Sequence, residues 1–310
     1  MVLPSEVLEA VTTGDISVVV NWLESGGDPA EVGVYIEDSP WFTGSLLTCA
    51  IMWHDVGRGE ELCAILIEQY GARCRPEDLW RAVHVFENPG FPISAATAEM
   101  FLSNGADAAR TNQFQYTLLH KMGAFGQAGD DCAALIPVLI AHGARINARV
   151  LEDRYGDGEV MVECGNTPLM EAVCRQDFPG PYRASLDVVR QLLRYGADPD
   201  AVTQSLSMDT NSKSPHSYTR DYTGTSGEYL AVANVIASVR GAGSWKRYVL
   251  EPRQRMLLLR KLVERRRAVA PRRGVLARLF PASAHAQGVP DVIFWKIMSF
   301  WRTSRDVVDP

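Results

Sequence analysis

The potential nucleophiles, acid–base residues and metal ligands of this sequence do not complete any catalytic or metal-binding pattern. Segment 153–164 carries two acids and a glycine at the spacing of a calcium-binding loop, but Tyr155 and Cys164 stand where oxygen ligands are needed. The glycine pair at 241–243 lacks the third glycine and the following helix of a dinucleotide site. We therefore expect no metal, no cofactor and no enzymatic activity.

A second group of residues could instead form non-covalent contacts. Trp41 and Phe42 follow a proline and would make an apolar contact point for a partner if exposed; burial against neighbouring chain is the alternative. Tyr155 and Tyr182 lie in similar inserted segments. We take these four aromatic residues as candidate partner-binding anchors.

The elements that must position these residues are short helices in pairs. Residues 165–200 open with Thr167-Pro168-Leu169, continue through two apolar-periodic runs, and close with Gly196-Ala197-Asp198-Pro199. Proline suits a first helical turn, and glycine suits the positive φ of a helix C-terminus. Related closing turns follow apolar runs at Gly26, Gly71, Gly105 and Gly143, at intervals of 34 to 53 residues.

The Thr-Pro-Leu opening and the Gly-Ala-Asp closing turn resemble those of an ankyrin repeat, whose period is about 33 residues. The resemblance covers roughly residues 4–240. It implies an all-α solenoid of about six helix–turn–helix repeats with β-hairpin fingers and C-terminal capping helices. It also implies that His120, in the histidine place of the opening motif, bridges neighbouring repeats through hydrogen bonds.

Inserts after the closing turns occupy the finger positions of such repeats. The insert at 148–164 alternates apolar residues around Gly156-Asp157-Gly158, which predicts a hairpin. Residues 30–44 predict a further finger. The insert at 201–226 is rich in Ser and Thr, so we expect a mobile loop there, with the sixth opening helix beginning near Leu230 and Ala233.

Charge is distributed unevenly. The 310 residues carry a net charge of −6, yet residues 245–280 hold twelve Lys or Arg against two Glu, a net charge of +10. This basic segment could be the solvated face of a capping helix, a nuclear localisation signal, or a binder of nucleic acid or anionic surfaces through residues 246–278. The six cysteines show no paired spacing and predict thiols in a reducing compartment.

The last helix, beginning at Pro290-Asp291, weakly resembles the opening of an F-box. That resemblance implies a substrate adaptor of a ubiquitin ligase, with Trp295 and Trp301 exposed as contacts. Docking of this helix on the array or on another partner is the alternative.

From these patterns we expect an ankyrin-repeat array at 1–243, a basic capping region at 244–280, and a linker with the F-box-like helix at 281–310. The predicted function is non-enzymatic: we expect a monomeric scaffold that binds another protein through its concave face and fingers. The partner is not identified by the sequence. We expect the protein in the cytoplasm or the nucleus. The sequence contains no apolar run long enough to span a bilayer.

Overall fold

The computed structural model describes most of the chain at the level of secondary structure and burial. The described residues are 3–30, 32–34, 43–52, 58–84, 93–124, 130–151, 154–156, 159–162, 164–174, 185–203, 213–221, 227–265, 267–268 and 291–300. The chain divides into two compact units, an N-terminal unit, Met1–Ile236, and a C-terminal unit, Ala237–Pro310.

Short helices in consecutive pairs make up the N-terminal unit. The first five pairs, which we call repeats 1 to 5, are α1 Ser5–Thr13 with α2 Ile16–Glu24, α3 Leu46–Met52 with α4 Arg58–Glu68, α5 Asp78–His84 with α6 Ala95–Ser103, α7 Leu118–Ala124 with α8 Asp130–Ala141, and α9 Pro168–Cys174 with α10 Leu186–Arg194. In each pair the two helices contact one another.

The first helices of the repeats stack in sequence order. Helix α1 contacts α3, α3 contacts α5, α5 contacts α7, and α7 contacts α9, while the second helices α6, α8 and α10 also contact in order. Small residues at the alanine position, such as Ala50 and Ala172, are fully buried because first helices are covered on both sides. The order of the repeats in space is therefore their order in the sequence, as the solenoid prediction requires.

Each repeat closes with a glycine in the left-handed region. The five closing glycines have φ between +65° and +117°, where a side chain would be strained. At Gly196 the backbone N–H donates to the Leu193 carbonyl, and the next residue, Ala197, donates to Leu192. These bonds end helix α10 and turn the chain toward the following repeat, as the sequence predicts.

Two inserts contain antiparallel hairpins. Strands β1, Val32–Val34, and β2, Thr43–Ser45, pair in the first. Strands β3, Arg154–Gly156, and β4, Glu159–Val162, pair in the second, with an irregular register after Arg154. The predicted fingers at 30–44 and 148–164 are confirmed.

The prediction for residues 201–226 is wrong in part. Helix α11, Pro215–Asp221, lies within this insert and packs on α9, so it continues the row of first helices. The Ser214 hydroxyl accepts from the Ser217 N–H at 3.2 Å, which satisfies a donor of the first turn. The opening helix at the sixth position is therefore α11, and Leu230 lies in the following helix, α12, Gly227–Ala242.

The C-terminal unit contains the end of α12 and two further helices, α13, Trp245–Glu264, and α14, Asp291–Phe300. Ser244 caps α13, its hydroxyl accepting from the Arg247 N–H at 3.3 Å. Within the part of the chain that the structure describes, no helix is both long and apolar enough to cross a bilayer. The predicted boundaries at 243 and 280 stay predictions.

Candidate protein-binding face

A buried carboxylate joins repeats 2 and 3. Asp78, at the start of α5, accepts hydrogen bonds from the Ser45 hydroxyl at 2.9 Å and from the Thr48 hydroxyl at 2.8 Å. The Arg75 N–H donates to the same carboxylate at 2.8 Å. With three donors satisfied and 1% exposure, Asp78 holds two repeats together and does not face solvent.

A second polar bridge, between repeats 4 and 5, is centred on His120. Its Nδ1 accepts from the Thr117 N–H at 3.1 Å, so Nε2 carries the proton and donates to the Asn166 carbonyl at 3.1 Å. The ring stacks on Tyr116 at 4.9 Å between centroids. Burial lowers the pKa of His120 to about 4. The ring is fully buried, and its Nε2 bond to Asn166 crosses from repeat 4 to repeat 5, which confirms the predicted bridging role.

The same interface encloses a buried carboxylate. Glu171 on α9 is 1% exposed, and its Oε1 accepts from the Asn166 amide at 2.9 Å. The Tyr116 hydroxyl lies 3.4 Å from Glu171 Oε2 and equally far from the His120 carbonyl oxygen. This network is closed to solvent, and among its described atoms the buried Asn166 side-chain oxygen lacks a hydrogen-bond partner. Its remaining hydrogen bonds position repeat 4 against repeat 5.

Three buried thiols lie in repeats 2 and 3. Burial and, second to it, the Asp78 carboxylate raise the pKa of Cys49 to about 11 and that of Cys74 to about 12. Burial also raises the pKa of Cys63 well above its usual range. Because the thiolate is the nucleophile, none of these cysteines is activated for covalent chemistry.

A tight finger connects repeats 3 and 4. The Asn112 side-chain oxygen accepts from the N–H groups of Phe114 and Tyr116, and Thr111 pairs with Thr117 across the turn. Gln115 at its tip has a φ of +62°, held there by its N–H bond to the Asn112 carbonyl. Phe114 and Tyr116 pack against Val150 of the next finger, so neighbouring fingers form one continuous surface.

A pocket of about 550 Å³ lies between this finger and the turn that closes repeat 4. Its wall is formed by Gln115, Arg145, Ile146, Asn147, Ala148, Arg149 and Leu151. Both arginines are exposed, and Leu151 is 60% exposed. The pocket therefore combines two cations with an uncovered apolar side chain.

Contacts to repeat 5 fix one side of this pocket. The Asn147 amide donates to the Gly196 carbonyl at 3.2 Å, and its oxygen accepts from the Asp198 N–H at 2.9 Å. Arg149 Nη1 donates to the Val202 carbonyl at 2.7 Å, which places its guanidinium beside another exposed apolar residue, Val202. We call Arg145, Arg149, Leu151 and Val202 the finger patch.

The finger patch is suited to recognising a peptide segment. Guanidinium groups bind carboxylates through paired donors, and exposed apolar side chains contribute when a partner removes them from water. Beside this surface the partly exposed Cys164 thiol donates to the Leu151 carbonyl oxygen at 2.9 Å, while the His120 ring is buried. Binding is the chemistry that this arrangement supports.

The family comparison decides how these helix pairs are classified. The model of the ankyrin repeat matches residues 164–204. This segment is similar to an ankyrin repeat. Ankyrin repeats generally mediate binding to other proteins. The helix pairs that stack in order with the matched segment, and the two hairpin fingers that precede it, give the N-terminal unit an ankyrin-repeat fold.

A comparison with solved structures also returned an ankyrin-repeat protein. The crystal structure of an ankyrin repeat domain from Acinetobacter baumannii is 18% identical, covers 75% of this chain and 96% of that chain, and has a TM-score of 0.46. No curated protein matched the sequence.

The aromatic anchors that the sequence suggests are placed only in part. Tyr155 lies on strand β3, and Trp295 on α14 is 56% exposed. Trp41, Phe42, Tyr182 and Trp301 lie outside the described residues. All six stay predictions as partner contacts, as does the F-box-like role of α14.

Sequence reasoning missed the finger patch. Arg145 and Arg149 are four residues apart next to a closing turn, but Val202 comes from the following finger, about fifty residues later in the sequence. One signal was available: Arg145 directly follows Gly143-Ala144, which places it at the base of a finger. Exposure of Leu151 beside it could not be read from spacing.

Proposed function

We propose that this protein is a non-enzymatic scaffold that binds another protein through the finger patch and the adjoining first helices of its ankyrin repeats. The observation that carries the proposal is the pocket at the base of the fingers of repeats 3 and 4, with Leu151 60% exposed beside two arginines. Such a surface suits a partner segment that pairs an acidic side chain with an apolar one.

The rigid support under the patch favours specific binding. Asn147 ties the pocket to repeat 5, and the His120 network locks repeat 4 to repeat 5 directly below it. A partner that docks there does not have to order the surface, so less of its binding free energy is lost to conformational entropy.

The test is affinity purification with mass spectrometry on matched variants of the full chain. We expect Arg145→Glu and Leu151→Glu each to lower partner recovery on the order of tenfold, because contacts at the centre of an interface contribute most of its affinity. Both side chains are exposed, so folding is retained.

Two controls match these changes. Arg73→Glu alters the exposed arginine at the same position two repeats earlier, after Gly71-Ala72, and Leu230→Glu alters a leucine that is 52% exposed on α12. Both controls should keep wild-type recovery. Partners recovered equally by all four variants would overturn the proposal.

The ligase-adaptor hypothesis predicts exposure of both Trp295 and Trp301. Trp295 is 56% exposed, and Trp301 is outside the described residues. An exposed Trp295 is equally expected of a surface-binding helix, so this observation does not favour an adaptor over the other roles of the C-terminal unit.

A further inference from the structure

The C-terminal unit presents an apolar face that the finger-patch proposal does not use. Val292 is 79% exposed, Trp295 56%, Ile293 51% and Ile297 39%. At 3.6 residues per turn, these four positions and Lys296 form one continuous arc of about 200° on α14. We call these five residues the outer face of α14.

The opposite side of α14 is fixed to α13 within the same unit. Phe294 and Met298 are buried, and the Arg260 guanidinium lies 4.2 Å from the centroid of the Phe294 ring. Arg260 Nε also donates to Glu264 Oε1 at 3.1 Å. Because the inner side is anchored in this way, α14 cannot rotate to bury its outer face without losing these contacts.

The helix that anchors α14 is basic and carries its own exposed apolar residue. Leu258 is 59% exposed, with exposed Arg255 and Lys261 one turn away on either side. Among the described residues of the unit, exposed cations outnumber exposed acids by eight to one: Arg240, Lys246, Arg247, Arg255, Lys261, Arg265, Arg267 and Lys296 against Glu264.

We propose that the C-terminal unit binds an anionic lipid surface. The outer face of α14 enters the interface between headgroups and acyl chains, where tryptophan and branched aliphatic residues are stable. Lys296, inside that arc, extends its ammonium back to the phosphates, and the cations of α13 add long-range attraction to anionic headgroups.

Other occupants fit these observations less well. Nucleic acid would use the cations but would leave the valine and isoleucine side chains in water. A second copy of the same face would bring two strongly cationic units together against their mutual repulsion. At ten residues α14 is about 15 Å long, half of the hydrocarbon thickness, so it lies along the surface and does not cross it.

The experiment is flotation of the full chain with phosphatidylcholine vesicles that contain or lack about 30 mol % phosphatidylserine. We expect strong binding only to the anionic vesicles, falling as salt rises from about 50 to about 500 mM. The double variant Val292→Ser/Trp295→Ser should lower the partition coefficient on the order of tenfold, since it removes apolar area from the interface.

The charge variant Lys261→Glu/Arg265→Glu should weaken binding by at least about fivefold per cation. Leu230→Ser, which changes an exposed leucine of the N-terminal unit, is the matched control and should bind like wild type. Circular dichroism confirms that each variant is folded, which the exposure of all substituted side chains predicts.

Four results would overturn the proposal. They are equal binding to neutral and anionic vesicles, no binding to either, unchanged binding by Val292→Ser/Trp295→Ser, and a concentration-dependent dimer that this double variant abolishes. Salt-sensitive binding to duplex DNA without vesicle binding would assign the cations to nucleic acid instead. The finger patch is unchanged in the α13 and α14 variants, so partner recovery through it tests the scaffold proposal separately.

Discussion

At the scale of single residues, His120 shows how a polar side chain can specify the joint between two repeats. Its ring accepts a hydrogen bond from the Thr117 N–H at the start of helix α7, in its own repeat, and donates one to the Asn166 carbonyl of the next repeat. Both ring nitrogens are used, which requires the neutral form with the proton on Nε2. Protonation of Nδ1 would break the bond to Thr117 inside the interior.

This requirement predicts a pH dependence of stability. The folded pKa of His120, about 4, lies below the unfolded value near 6.5, so the unfolded state binds more protons between these values. Stability from this residue is complete above pH 6.5 and falls by about 1.4 kcal/mol per unit as the pH drops toward 4.

The variant His120→Gln lacks this titration. We expect the difference in unfolding free energy between wild type and variant to shrink by about 2 kcal/mol from pH 7 to pH 5, measured by urea denaturation. Other titrating groups are common to both proteins and cancel in the difference. A difference in unfolding free energy that stays constant from pH 7 to pH 5 would contradict the assigned protonation state.

At the scale of helices, α7 and α9 approach one another closely because of one residue. Gly123 on α7 is buried, and a Cβ there would overlap the Pro168 carbonyl oxygen and press on the Ala172 backbone nitrogen. The overlapped atoms belong to backbone and cannot rotate away. A glycine inside this helix is therefore explained by the spacing between repeats 4 and 5.

We expect Gly123→Ala to lower the unfolding free energy by about 1–3 kcal/mol, the usual effect of overpacking. Gly241→Ala in α12 is the matched control, because a Cβ there meets nothing within 4 Å. The control should be neutral or more stable by up to about 1 kcal/mol, since alanine favours helix. Equal effects of the two changes in chemical denaturation would contradict the close approach.

Much of this architecture could be predicted from local sequence. The closing glycines, the Thr-Pro-Leu start and the Asp157-Gly158 turn each depend on neighbouring residues alone, so the repeats and the fingers at 30–44 and 148–164 were predictable. Helix α11 was not, because Pro215–Asp221 is polar and its stability comes from packing on α9. Its one signal was Ser214-Pro215 in the place of Thr167-Pro168.

The candidate sites were less predictable for a related reason. Asp78 bonds Ser45 and Thr48 across about thirty residues, and the finger patch gathers residues from two successive fingers. Such proximity depends on the stacking of whole repeats. The division of α14 into an anchored and an exposed side likewise depends on Arg260, which the sequence presents only as one more cation in a basic segment.

At the scale of the whole molecule, neighbour-to-neighbour contacts mean that stability can vary along the array. Each repeat in this row contacts its sequence neighbours, so local opening of one pair does not require all pairs to unfold together. The cysteines provide built-in reporters of this behaviour, since they are distributed over repeats 2 to 5 with different exposure.

We expect a thiol reagent near pH 8 to label the partly exposed Cys164 and Cys174 quickly. Cys49, Cys63 and Cys74 should react only as fast as repeats 2 and 3 open, because burial both blocks access and raises their pKa values. Mass spectrometry of quenched time points resolves the sites. Labelling of Cys63 as rapid as that of Cys174 would show that this part of the array is loosely packed.

The polar bridges have a consequence for how such an array can evolve or be engineered. Repeats 2 and 3 are matched by two hydroxyls and a carboxylate, whereas repeats 4 and 5 are matched by an imidazole and a main-chain carbonyl. Each interface uses a different set of polar groups, so each repeat pairs correctly only with its own neighbour. Exchanging or duplicating one repeat would leave a buried polar group without its hydrogen-bond partner at the new interface. Such a rearrangement would destabilise the array even though all repeats share the same backbone arrangement.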